Sequence, residues 1–294
     1  LELPILMHRA EMHQGKPRIW LLAGTGEGPP LAKQLLAEGW QVQLSLVSGS
    51  AALPYVAHPN LDIRIGALGG DGAIGQMLEQ AQARGNSFAA VVDASHPFAR
   101  QISADLAKAC MARQQPLLRL LRPSLEGPGQ IQLQANLEAL ADYPWHGERL
   151  LWAIGARQLA KAIGLSKGAV HHARILPTPT ALQQAMASGL GEGQLACLRP
   201  AEPTARWEDS IEAALLRQWG ITVVVARQSG GITEASWRAA CAGLGVKLLL
   251  LQRPPEPPGV ECLLEAELLA RLAGIKGLFS PDAGPANPAG STGA

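Results

Sequence analysis

The sequence predicts an α/β protein of two Rossmann-like, doubly wound domains with mainly parallel sheets and an interdomain cleft. Three observations carry this. Short apolar runs alternate with helical segments from about residue 18 to residue 272. The runs are continuously apolar, as strands buried on both faces must be. With 294 residues, 47% of them hydrophobic, the chain is long enough to build two cores.

The elements follow in order. Residues 19–23 read as a buried strand, and 29–39 as a helix with proline in its first turn, where a missing N–H costs little. Strands at 42–47 and 61–65, a helix at 73–84, a strand at 89–93, a helix at 98–113 and a strand at 117–121 complete the first series. Proline and glycine at 123–128 break the pattern, and two elements follow near 137–141 and 150–154. The second series has helices at 157–163, 180–187, 210–218 and 233–244, with strands at 169–175, 194–198, 221–226 and 247–252. A helix at 265–272 closes it. The expected division is a cofactor domain over 18–145 and a substrate domain over 146–276, with a disordered extension at 1–17 and a disordered tail at 277–294.

Composition excludes several classes of function. A net charge of +1 gives no field that favours nucleic acid or an anionic membrane, so an anionic ligand must be held by local arginines. The seven tryptophans are scattered at element ends rather than clustered beside basic residues, which argues for packing over base stacking. Cys110, Cys197, Cys241 and Cys262 form no Cys-x-x-Cys pair, so reduced thiols are expected and no metal site. Residues 1–17 mix charges into their apolar residues, and the apolar run 246–251 is far too short to span a bilayer. A cytoplasmic location is the resulting expectation; the oligomeric state is open, a monomer being one state it allows.

Ligands of doubly wound sheets bind outside the carboxyl ends of the strands, and the unusual motifs fall there. Gly24-Thr25-Gly26-Glu27-Gly28 follows the first strand and opens a helix. Such glycines let the backbone approach a phosphate, and a helix N-terminus adds N–H groups and partial positive charge. A bare glycine-rich turn is the plainer alternative, and with Pro29 and Leu31 near the third position the spacing is not a full G-x-G-x-x-G. Ser48 and Ser50 end the second strand in place of the acidic residue of an NAD site or the arginine of an NADP site, so NADPH or NADH remains open. Asp93-Ala94-Ser95-His96-Pro97 follows another strand. Asp93 or Ser95 can cap the next helix and His96 can be a rim histidine, or the loop can hold the nicotinamide end of a cofactor.

Arginines recur at strand ends. Arg119 and Arg122 lie at the end of the 117–121 strand, and Arg157, Arg199 and Arg227 follow three strands of the second series. With Ser229 and Gly230 after Arg227, they suggest a concave surface for a polyanion, although any one of them can be a solvated surface charge.

These segments together — Leu-Leu-Ala-Gly-Thr-Gly-Glu, Val-Val-Asp-Ala-Ser-His-Pro-Phe-Ala, Leu-Leu-Arg-Leu-Leu-Arg-Pro, Gly-Ala-Arg-Gln and Arg-Gln-Ser-Gly-Gly — resemble the precorrin-6A reductase family, including its cobalt-precorrin branch, over residues 18–272. The resemblance implies an enzyme of cobalamin biosynthesis that passes a hydride from a reduced nicotinamide to C19 of a tetrapyrrole macrocycle, with a proton added at C18. It implies that Gly24, Thr25, Gly26 and Glu27 line the cofactor turn and that Asp93, Ser95 and His96 border the nicotinamide and ring; Ser48, from its place after the second strand, is a further expected cofactor contact. Asp93 and His96 are the groups chemically able to give the proton, water or a substrate carboxylate being equally able. Arg119, Arg122, Arg157, Arg199, Arg227, Ser229 and Gly230 would hold the carboxylated ring. Ala23 replaces a common glycine of the family, and Arg227-Gln228 stands where relatives often have Lys-Asn. The alternatives are a cofactor-free two-domain tetrapyrrole-modifying enzyme and a nicotinamide-sensing protein without chemistry.

Overall fold

The computed structural model describes residues 16–200 and 204–279. The expected disorder at 1–17 and 277–294 therefore lies, apart from residues 16–17 and 277–279, outside the described residues. The described residues form two compact units, one that runs to Arg122 and resumes at Pro255, and one between Pro123 and Pro254.

The first unit runs β1 (Arg18–Leu22), α1 (Gly28–Ala37), β2 (Gln41–Leu46), β3 (Leu61–Ile65), α2 (Gly70–Ala83), β4 (Ala90–Asp93), α3 (Arg100–Ala112) and β5 (Leu117–Leu120). The second unit holds β6 (Ile131–Gln134), β7 (Arg149–Ala153), α4 (Leu159–Leu165), β8 (Val170–Ile175), α5 (Pro179–Ala187), β9 (Leu195–Cys197), α6 (Ile211–Trp219), β10 (Val223–Arg227), α7 (Ile232–Leu244) and β11 (Lys247–Leu251). The chain then returns to the first unit as β12 (Glu261–Leu263) and α8 (Glu265–Gly277).

Every strand pair in both sheets is parallel. The first sheet is ordered β12-β5-β4-β1-β2-β3 and the second β6-β11-β10-β7-β8-β9. The first is the doubly wound dinucleotide-binding order, with β12 as its sixth strand. Counted from β7, the second repeats that order for five strands and takes β6, the strand before β7, as its sixth.

Continuous hydrophobicity in the strands follows from burial on both faces. In β1, Ile19 and Leu21 pack with Leu31 and Leu35 of α1 and Leu268 and Leu272 of α8. Trp20 and Leu22 point the other way, against Ile74 of α2 and Leu106 of α3. In the second unit Leu151, Val224 and Leu248 pack with Leu216 of α6 and Trp237 of α7. Trp20, Trp40, Trp152 and Trp237 are fully buried, as a packing role requires. All four cysteines are free thiols; Cys110 and Cys241 are buried, Cys197 and Cys262 half-buried. No described helix is long and apolar enough to cross a membrane.

The division differs from the expected one at residues 145 and 146. β6 belongs to the second sheet, and β12 and α8 belong to the first. Both sixth strands are short and carry polar residues, so neither stands out as an apolar run. The expected element at 137–141 is a single 3-10 turn, Glu138–Leu140.

β8 carries an expected pH effect. His172 is buried and stacked on Trp219, ring centroids 4.8 Å apart. Burial, then the charge of Arg149, lowers its pKa below the ordinary histidine value. As pH falls through about 6.5 the unfolded chain takes up the proton before the folded one does. The contribution of neutral His172 is thus full at pH 8 and is lost as pH drops through its lower folded pKa. Urea unfolding followed from pH 8 to pH 5 should show stability declining with acidity, and more shallowly in His172→Gln.

Candidate active site at two sheet switch points

In each sheet the strand order reverses beside the first strand of the repeat, and the loops leaving the two strands there diverge to opposite faces. In the first unit these are the loops after β1 and β4. Thr25 Oγ1 donates to Ala94 O at 3.4 Å and joins them. Gly24, at φ +155°, adopts a conformation that side-chain-bearing residues rarely take, and a Cβ built on Gly24 or Gly26 meets nothing within 4 Å. These glycines face open space, where a phosphate can approach the backbone. Gly28 differs: a Cβ there would lie 2.2 Å from Tyr55 Oη and 2.8 Å from Ala23 Cβ. It does the close helix–strand packing of the motif's third glycine, one residue earlier than the usual spacing.

The donors are not those expected of a helix N-terminus. Pro29 and Pro30 of α1 have no N–H, and Gly28 N already donates to Thr25 O at 3.1 Å. The amides of Gly24, Thr25 and Gly26 make no hydrogen bond among the described residues. Any phosphate is therefore held by the turn, with the helix supplying its dipole. Glu27 points its carboxylate at Arg122, 2.9 Å away. Ser48 and Ser50 lie just past β2, their hydroxyls 3.1 Å apart on the surface.

Asp93 and Arg119 are sequestered. They are register partners on β4 and β5, and in-register residues of parallel strands point to the same face. That face lies under α3, so both side chains are buried, 2% and 3% exposed. Arg119 donates through Nη1 to Asp93 and to Ser103 Oγ, the latter at 2.7 Å, and through Nε to Glu256. Burial acts to lower the arginine's pKa, but Asp93 and Glu256 outweigh it and the pKa is raised. Asp93 Oδ1 in turn accepts from Ser95 N at 2.9 Å. Arg119 and Arg122, expected to meet a substrate, are both buried and both paired with carboxylates. Asp93, expected as a proton donor, is an acceptor enclosed beneath a helix.

Ser95 and His96 sit on the loop itself. Ser95 Oγ lies 3.4 Å from Ser103 Oγ, and half-buried His96 accepts from Phe98 N through Nδ1 at 3.1 Å. That bond leaves the ring proton of a neutral His96 on Nε2.

In the second unit the switch point lies between β7 and β10. Arg227 ends β10, half-buried, and its Nη2 donates to Gln158 Oε1 at 3.1 Å. Exposed Arg157 lies in the 3-10 turn Ala156–Gln158 that follows β7. Burial, then the like charge of Arg157, lowers the pKa of Arg227. The two cations thus stand at the ends of the two strands that flank this switch point. Ser229 is buried beside them, and Gly230 N donates to Glu234 Oε2 at 2.7 Å. Arg199 is exposed beyond β9, the edge strand two places from β7, and is not brought into this group.

The sequence reading missed Ser103, Glu234 and Glu256, and gave Gln158 no role beyond its place in the Gly-Ala-Arg-Gln segment. Glu234 had a visible signal, standing four residues before Arg238 on a predicted helix; its Oε1 accepts from Arg238 Nε at 2.7 Å. Glu256 had none, since its partner stands 137 positions away in the sequence.

Residues 18–272 match the family model described as precorrin-6x reductase CbiJ/CobK. The cobalt-precorrin-6A reductase of Synechocystis is 34% identical over 82% of this chain and 90% of that protein. The precorrin-6A reductase of Rhodococcus erythropolis is 32% identical over 83% of this chain and 92% of that protein. Among solved structures, a CobK precorrin-6A reductase superimposes with a TM-score of 0.69 at 25% identity, covering 88% of this chain and 97% of that one. A parallel sheet in dinucleotide-binding order, a glycine turn at its switch point and this match along nearly the whole length agree: the chain belongs to the precorrin-6x reductase family.

Proposed function

We propose that this enzyme reduces precorrin-6A or its cobalt complex with NADPH or NADH, as the names of its relatives suggest. The observation that carries the reading is the pair of arginines, Arg157 and Arg227, after the two strands of the second switch point, cations suited to the carboxylate arms of the family's ring substrate. The glycine turn fits the cofactor, since Gly24 and Gly26 leave room for a pyrophosphate on unsatisfied amides. Bound there, the nicotinamide would supply the hydride for C19 of the macrocycle.

The protein's own contribution is placement and a proton. Thr25 bridges the two loops of the first switch point, and Ser95 is held by Asp93. Ser48 and Ser50 offer hydroxyls to the far ribose without a carboxylate that would repel a 2′-phosphate, so the edge admits either nicotinamide. Of the two groups expected to give the proton for C18, Asp93 is enclosed and already accepts from Arg119 and Ser95, whereas half-buried His96 sits on the loop that leaves β4. Arg157, Arg227, Ser229 and Gly230 hold carboxylate arms of the ring.

The test is an anaerobic assay of both nicotinamides against both the metal-free and the cobalt-containing substrate. Oxidation of NADPH or NADH that depends on the macrocycle is the expected result. Absence of turnover in all four combinations would refute the reading.

A further inference from the structure

A right-handed crossover from β5 to β12 would place a helix beside α3. Here the chain passes through the second unit instead, and a cavity of about 830 Å³ remains between α3 and residues 255–261. Arg119, Ser103 and Glu256 all line it. Glu256 is about a quarter exposed, and it lies in the Pro255–Pro258 stretch by which the chain re-enters the first unit.

We propose that Glu256 is a positioning residue for the first switch point, setting the Ser95–His96 loop through Arg119 and Asp93. Its contacts run unbroken to that loop. Glu256 takes Nε of Arg119, the same guanidinium gives Nη1 to Asp93, and the far oxygen of Asp93 takes the Ser95 amide at 2.9 Å. Arg119 is planar and its two engaged nitrogens are fixed relative to each other, so holding Nε fixes the direction of Nη1. Without Glu256 the guanidinium loses its hold at Nε and keeps only the two Nη1 bonds, to Asp93 and to Ser103 Oγ, about which it can turn. Asp93 then loses its fixed partner, and the Ser95 turn loses its anchor. Burial strengthens the Arg119–Asp93 link, because both side chains are almost wholly withdrawn from water. The role given to the loop rests on the functional reading above; the relay itself does not.

Hydrogen exchange of the full-length chain tests the relay without any ligand. In Glu256→Gln, exchange of the amides at 94–96 should rise about tenfold while the remainder of both sheets is unchanged. Glu261→Gln, which alters a carboxylate on the same cavity that pairs with Arg271, should leave 94–96 as in the wild type. Glu256→Asp keeps the charge and should recover most of the protection. Tryptophan fluorescence titrations should then show affinity for NADPH or NADH falling roughly fivefold in Glu256→Gln and not in Glu261→Gln. Unchanged exchange at 94–96, or a rise spread evenly over the chain, overturns the proposal. If the wild type binds neither nicotinamide, the functional reading fails and the exchange comparison still decides on the relay.

Discussion

Replacing Arg227 by alanine is expected to weaken macrocycle binding by roughly 10- to 150-fold, the worth of one charge-assisted contact of about 1.5–3 kcal/mol. Stability should not fall with it. Burial and the neighbouring Arg157 both act against the charged form of Arg227, and the hydrogen bond to Gln158 works the other way. Removing the side chain should leave the thermal midpoint level or higher, the pattern of a residue retained for function. Arg157→Ala should behave similarly with a smaller loss, because that side chain is exposed and its field is screened. Calorimetric titration with the macrocycle, beside thermal unfolding, reads both quantities. A fall in stability with unchanged affinity would assign Arg227 to the scaffold.

Arg119→Met should show the reverse pattern. Removing this cation leaves Asp93 and Glu256 without their shared partner, Asp93 being sealed beneath α3. Breaking a buried pair from one side costs about 3–5 kcal/mol, far above the cost of an average substitution. Denaturant unfolding should report that loss, and the double variant Arg119→Met with Asp93→Asn should regain part of it by removing the stranded charge. Were Arg119 a substrate ligand instead, macrocycle affinity would fall with stability intact.

These two arginines show how far the sequence could be read. Both follow or end apolar strands, and in one dimension they look alike. What separates them is register: Arg119 stands opposite Asp93 and points under a helix, whereas Arg227 is the last residue of its strand and meets Gln158 on the loop after β7. Strand pairing across crossovers is not written in local pattern, so the roles of single arginines were not legible. The glycine turn and the alternation of strands and helices were legible, because backbone geometry and two-faced burial constrain residue types locally. Gly28 lies between these cases. It was visible as a glycine, but its purpose appears only once Tyr55 is seen against it. β6 and β12 escaped notice because edge strands need little hydrophobicity, and so the boundary between units was placed late.

The return of β12 to the first sheet bears on how the chain folds as it is synthesised. Residues 123–254 form one uninterrupted unit and can close as soon as they emerge, while the first sheet still lacks its last strand and α8. Closing β5 against β12 over a disordered connection of that length would carry a substantial entropic cost. A folded second unit removes most of it, since Arg253 Nη2 donates to Pro123 O at 3.3 Å and its two ends stand side by side. The inserted unit then behaves as a short tether. The first unit's final strand docks late but from close by, and the order of assembly follows the order of translation.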